Sequence, residues 1–188
     1  QLAAAGPVDA VLLNLHGGQD DSDVWLVKID NPFPTEDDGD TNVYRSGASV
    51  PTVMELGSKG ATLTVDWSIS DALTLTSVTG YQEFTRYHVE DRDAASLEQL
   101  DGYFDNDIEQ FSQELRLTWE RDGLVLIGGA FHGEDTVETR DRFDATDLLS
   151  LLGLAGIASI GNEYRQETTS AALFLHSEWS FAPGWTLT

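Results

Sequence analysis

The 188 residues carry 33 Asp plus Glu against 10 Lys plus Arg, for a formal charge of -23, and include no cysteine. Disulfide frameworks and thiolate metal sites are therefore excluded, and a negative field of this size repels the phosphates of nucleic acid. The longest apolar candidate, Leu148 to Ile160, is broken by Gly153 and Gly156 and falls short of the ~18 residues a membrane-spanning helix needs. Any crossing of a membrane is left to strands.

The first 60 residues carry the weakest patterning. Leu2 to Leu15 reads as a short apolar helix interrupted by Pro7, and Val24 to Ile29 as a strand. Asn31 to Asp40, with two prolines and four acids, is loop by composition. Residues 1–60 are accordingly expected to be mostly one exposed excursion, and 61–188 to hold the strands. The first residues, Gln1 to Ala5, and the last, Trp185 to Thr188, read as mid-chain sequence, so an internal segment of a longer chain is expected.

From Ala61 the pattern sharpens. Successive side chains of a strand point to opposite faces, so an amphipathic strand alternates apolar and polar residues. In Ala61 to Ser70 the apolar set is Leu63, Val65, Trp67 and Ile69. In Phe111 to Glu120 it is Phe111, Leu115, Leu117 and Trp119. In Ser170 to Phe181 it is Ala171, Leu173, Leu175, Trp179 and Phe181. Each run ends at a tight turn: Ser70-Asp71-Ala72, Arg121-Asp122-Gly123 and Ala182-Pro183-Gly184. Return strands follow as Leu73 to Tyr87, Leu124 to Val137 and a stub from Trp185. The first of these has Val78 and Phe84 on the wrong parity, which predicts a register slip or bulge. Gly128 and Gly129 make the second less regular.

The other ends are joined by long acidic stretches, His88 to Asp107 and Thr139 to Tyr164, read here as loops. Structureless loops of that length are uncommon in compact soluble domains and normal on the outer side of a bacterial barrel. Trp67, Trp119, Trp179 and Trp185 all sit beside the short turns, as an interfacial aromatic belt requires. A strand from Phe111 to Trp119, at ~3.3 Å per residue and ~45° tilt, rises roughly 19 Å, near the ~25 Å of an apolar band. The expected fold is all-β: an antiparallel transmembrane β-barrel segment of about five or six strands, with short periplasmic turns and long extracellular loops. Core aromatics of a soluble sandwich are the alternative reading of the tryptophans.

Four stretches carry a resemblance. Leu73-Thr74-Leu75-Thr76-Ser77-Val78-Thr79-Gly80-Tyr81 resembles the "LTSITGY" strand of TonB-dependent outer-membrane receptors, and Phe111-Ser112-Gln113-Glu114-Leu115-Arg116-Leu117 resembles their "FSQELRL" strand. Leu126-Ile127-Gly128-Gly129-Ala130-Phe131 resembles the "W-x-x-G-x-F" return strand, with Leu126 near the family's usual aromatic. Ser170-Ala171-Ala172-Leu173-Phe174 resembles "SYALF", with Ala171 where the family often has Tyr. The resemblance implies a barrel of about 22 strands, of which these residues would hold about five or six from the middle, and an N-terminal plug domain and TonB box that these residues do not include. It further implies a bacterial outer-membrane location, a partnership with the TonB complex, and uptake of a scarce nutrient such as siderophore-iron, cobalamin, haem or oligosaccharide. Its neighbours would be outer-membrane lipid and lipopolysaccharide.

No catalytic, cofactor or metal site is expected. His16, His88, His132 and His176 share no metal-ligand spacing, although His88 and His132 fall near the bases of the presumed loops. The acid clusters Asp20-Asp21-Asp23, Glu36-Asp37-Asp38-Asp40 and Asp105-Asn106-Asp107 could attract Ca²⁺ or bridge divalent ions to lipopolysaccharide, but none fits an EF-hand. Glu114 with Arg116, and His176 with Glu178, lie on polar parities that would face a lumen in a barrel or water in a sandwich. Loop aromatics Tyr103 and Phe104 are possible ligand contacts, and the apolar run Asp147 to Ile160 reads as a short helix over other loops or over a barrel mouth. Three functions remain: a receptor segment for active uptake, a secreted or surface all-β binding or adhesion module whose acidic loops grip Ca²⁺ or carbohydrate, and a passive porin, which shares the alternation but not the family strand motifs. The ligand-contacting residues are not readable, and none of these functions is enzymatic.

Overall fold

The computed structural model describes residues 8–22, 48–93 and 97–188. They form one antiparallel sheet of seven strands in the order β1 to β7, each paired with its sequence neighbour. The strands are β1 (Val8–Ser22), β2 (Val53–Ser70), β3 (Leu73–Asp91), β4 (Asp101–Arg121), β5 (Leu124–Asp144), β6 (Ser159–Ala182) and β7 (Trp185–Leu187). One short helix, α1 (Thr146–Leu151), lies between β5 and β6. The sheet is open, with β1 and β7 at its edges.

Because the connectivity is a simple meander, the turns β2–β3, β4–β5 and β6–β7 all fall at one end of the sheet, the turn pole. The connections β1–β2, β3–β4 and β5–β6 fall at the other, the connection pole. The turns are tight for local reasons. Asp122 at φ 52° and Gly123 at φ 77° form a two-residue link whose left-handed backbone matches the twist of paired strands. Pro183 presets one corner of the last turn and Gly184, at φ 79°, supplies the other. Neighbouring turns are stitched together, with Ser180 N–H donating to Gly123 O at 2.8 Å and Glu120 N–H to Ala72 O at 2.9 Å.

The register carries the alternation straight across the sheet. On one face, the row Trp67–Leu75–Leu117–Gly128–Leu175 is followed by Val11–Val65–Ser77–Leu115–Ala130–Leu173. Next comes Leu13–Leu63–Thr79–Gln113–His132–Ala171, and then Leu15–Ala61–Tyr81–Phe111–Glu134–Thr169. Leu73 and Trp119 close this apolar band toward the turn pole, and Tyr81 and Phe111 close it on the other side. From Leu73 to Tyr81 it is roughly 26 Å along the strand at ~3.3 Å per residue. Beyond Tyr81 the same face turns ionic, as in Gly57–Thr85–Asp107–Glu138–Arg165 and Glu55–Tyr87–Asp105–Arg140–Glu163.

Among the described residues nothing covers the band. Leu115 is 47% exposed and Leu173 87% exposed, and Val89 is the one buried apolar side chain of the described core. A soluble domain of this size is held by a shared apolar interior; here the described residues contain none.

Several expectations are corrected. The stretch read as a helix from Leu2 to Leu15 is a strand from Val8 onward, and β2 starts at Val53 and not at Ala61. β1 therefore runs through what was read as loop, and the described strands number seven rather than five or six. The two long acidic loops are mostly strand: only 92–100 lies between β3 and β4, and only 145–158 between β5 and β6. Acid density suggested loop, but cross-strand ion pairs hold those acids on paired backbone (Arg165 Nη1 to Glu138 Oε1, 2.6 Å). The slip expected in β3 is absent from its pairing with β4; Val78 and Phe84 simply occupy the opposite face, and the irregularity lies at Ser68/Ser70 of β2. Gly129 in β5 has a steric reason, since a Cβ there would stand 2.2 Å from the Phe174 ring. The strand expected at Val24 to Ile29 and the loop at Asn31 to Asp40 lie outside the described residues.

Candidate functional site

The chemistry-bearing groups gather at the connection pole, on both faces of β3 and β4. On the face that carries the apolar band, Asp91, Asp93 and Asp101 bring carboxylate oxygens within 4.8 Å of one another. β3 ends at Asp91 and β4 starts at Asp101, its direct partner, so pairing forces these two acids together. Asp91 is 0% and Asp101 2% exposed. Hydrogen bonds make this tolerable: Ser49 N–H donates to Asp91 Oδ2 at 2.9 Å, and Ser49 Oγ to Asp101 Oδ1 at 2.8 Å. Asp93 N–H donates to Asp91 Oδ1 at 3.0 Å, and Leu100 N–H to Asp93 Oδ2 at 2.6 Å. Burial raises the Asp101 carboxyl to about 6, aided by the charges of Asp91, Asp93 and Glu98 and opposed by the Ser49 hydrogen bond. A set of three carboxylates is the donor chemistry of a hard divalent cation such as Ca²⁺. These are the described residues that could hold one, although their oxygens already accept the hydrogen bonds above.

The opposite face at this height is built differently. β3 places Arg86, His88 and Glu90 on it at alternate positions, with Arg92 next in the series. Phe104, the cross-strand partner of His88, lies with its ring 5.6 Å from the imidazole. Phe143 meets Phe104 edge-on at 5.6 Å. The Arg92 guanidinium sits 5.3 Å from both phenyl rings, and that of Arg86 5.9 Å from Phe104. Gly102 makes room for the stack, because a Cβ there would lie 2.9 Å from the Phe104 ring.

The connections are joined to each other. Glu98 N–H donates to Asp147 Oδ2 at 2.9 Å, Asp147 N–H to Glu98 O at 3.0 Å, and Thr146 Oγ1 to Glu98 Oε1 at 3.2 Å. This fixes the start of α1 while Leu151, Leu152, Leu154, Ile157 and Ile160 remain exposed at the tip. The expected short helix is present there.

The other singled-out residues do not converge. His16 lies over Gly60, where a Cβ would meet its ring at 2.5 Å. His132 faces Glu134 at 3.2 Å and His176 faces Glu178 at 3.0 Å, on different strands. Asp20 accepts from Ser22 Oγ at 3.2 Å and Asp21 from Gln19 Nε2 at 3.4 Å, while Asp23 and Glu36 to Asp40 are outside the described residues. Asp105 and Asp107 share Arg140 at 3.6 and 3.8 Å, and Asn106 turns to the other face and donates to Thr139 Oγ1 at 3.2 Å. Glu114 and Arg116 pair with each other along β4, Arg116 Nε to Glu114 Oε1 at 3.1 Å. Tyr103 and Phe104 are strand residues on opposite faces, with Tyr103 beneath Arg142 at 4.1 Å. Arg86, Arg92, Gly102 and Phe143 were not legible as site residues. The alternation Arg86-His88-Glu90-Arg92 was the available sign, concealed because the stretch from His88 was read as loop.

No family model, no curated protein and no solved structure matches the chain.

Proposed function

We propose that this sheet is part of the barrel wall of a TonB-dependent outer-membrane receptor that imports a scarce nutrient. The observation that carries the reading is the uncovered apolar band, bordered by Trp67 and Trp119 on one side and Tyr81 and Phe111 on the other, on a sheet with almost no buried apolar side chain. An apolar face of eight strand steps, rising roughly 19 Å at ~45° tilt and flanked by aromatics, suits contact with lipid. The grouping of every tight turn at one pole fits the periplasmic side of such a barrel, and the resemblance of the four strand motifs supplies the family. The ionic rows above Tyr81 then stand outside the hydrocarbon, at the level of lipopolysaccharide head groups. The opposite, more polar face is the lumen wall, and Leu151 to Ile160 overhangs its mouth. In this reading the chain binds and passes cargo and performs no covalent chemistry.

The test is cellular. The full-length chain, expressed in a Gram-negative host, is expected in the outer-membrane fraction, with a gel mobility that shifts on heating and with nutrient uptake lost when TonB is deleted. Recovery as a detergent-free soluble monomer sinks the proposal. That outcome favours a secreted binding module instead, for which the Asp91–Asp93–Asp101 cluster is the supporting observation.

A further inference from the structure

We infer that Arg86 receives the carboxylate of a small organic anion on the polar face of the sheet. The inference deepens the uptake reading and rests on it for its route of access, the lumen. In this acid-rich chain every other lysine and arginine among the described residues has a carboxylate partner. Arg86 has none, and its Nε is buried without an acceptor. An N–H withheld from both water and protein is unfavourable, so this position gains from an incoming acceptor.

The surroundings state what kind of acceptor fits. The Arg86 guanidinium carbon stands 5.9 Å from the Phe104 ring centre, a cation–π contact, and Phe104 is in turn held by Phe143, Arg92 and the missing side chain of Gly102. A guanidinium fixed on a ring presents a planar fork, which matches a carboxylate through two parallel hydrogen bonds. The nearby acids are largely committed: Glu90 pairs with Arg92 and faces His88 at 3.6 Å. Asp141 is one strand beyond Phe104, and Asp20 stands two strands from Arg86, roughly 10 Å at the usual strand spacing. Leu56, the cross-strand partner of Arg86, lines a hollow of about 280 Å³ together with Phe84, Ser58 and, at its far side, Asp20. An anion with an apolar or aromatic body fills this arrangement, with its head on Arg86 and its body over Leu56 and Phe84.

Benzoate is the probe, with inorganic phosphate as the competing anion, on the full-length chain extracted in detergent. Binding is expected for the native protein, weakened at least about tenfold in Arg86→Gln and several-fold in Phe104→Leu. Arg86→Lys, which keeps the charge and loses the fork, is expected to fall between the native protein and Arg86→Gln. If Arg86→Gln does not fold, benzoate should slow phenylglyoxal modification of Arg86 in the native chain. Undetectable benzoate binding, unchanged binding in folded Arg86→Gln, or no protection of Arg86 overturns the inference. Displacement by phosphate at equal concentration overturns the carboxylate assignment. Outer-membrane fractionation is scored separately, so a correctly placed protein that ignores benzoate refutes the site and leaves the transport reading standing.

Discussion

At the scale of single residues, Asp101 makes the most direct prediction. Its carboxyl is raised from the ordinary value of 3.8 to about 6, chiefly by burial. A folded state that holds a proton more tightly than the unfolded chain is favoured at low pH, and that advantage is lost as pH rises from 3.8 through about 6. The connection pole is therefore expected to tighten on acidification. Amide exchange at Ser49 and Leu100, corrected for intrinsic rates, should show more protection at pH 4 than at pH 7. Asp101→Asn should remove that difference, and equal protection at both pH values in the native chain refutes the account. The acids at this pole illustrate what sequence can and cannot convey. Their abundance was plain, but that Asp91 and Asp101 face each other depends on where β3 ends and β4 begins, which no local pattern stated.

At the scale of elements, the strands beside the tight turns were legible and their far ends were not. Near the turn pole, hydrophobic alternation reports the face directly, so Leu115, Leu117 and Trp119 announce their side. Toward the connection pole both faces mix charged residues with aromatic or apolar ones, such as Phe84, Val89, Tyr103 and Phe104, so alternation carries no contrast. What extends β4 and β5 there is pairing itself, reinforced by Arg140 between Asp105, Glu138 and Glu163, and such cross-strand partners are invisible in one-dimensional sequence. β1 was missed for a related reason: Leu12, Leu13 and Leu15 give apolar residues on both parities, and a short apolar run does not separate helix from strand. The Asp122–Gly123 link is the testable element here. Gly123→Val places a branched side chain at φ 77°, with its Cβ 3.0 Å from Ser180 O. Destabilisation of about 1–2 kcal/mol is expected, read as a lowered denaturation midpoint of the folded full-length chain. Gly153→Val, also at positive φ but with nothing within 4 Å, should cost less.

At the scale of the whole molecule, the question is what wets the apolar band. Leu115 occupies its middle row and Glu109 lies in the ionic region above Tyr81. If lipid covers the band, Leu115→Arg costs about 2–4 kcal/mol, whereas Glu109→Arg costs close to nothing. Unfolding from lipid vesicles measures both, and equal effects at the two positions speak against lipid contact. The all-β antiparallel sheet was the global property already implied by sequence, through alternation and tight turns, whereas what the apolar faces meet was left open between lipid and a second layer. The open seven-stranded outline was not implied, because alternation gives faces and says nothing about how many neighbours a strand finds.

The strands outlast the oily zone by about ten residues on β3, from Tyr81 to Asp91. What would otherwise be slack tethers becomes a stiff collar laced by guanidinium clamps. Under the proposed uptake, cargo arriving there would meet contours settled in advance, so little freedom would have to be frozen out at the moment of capture.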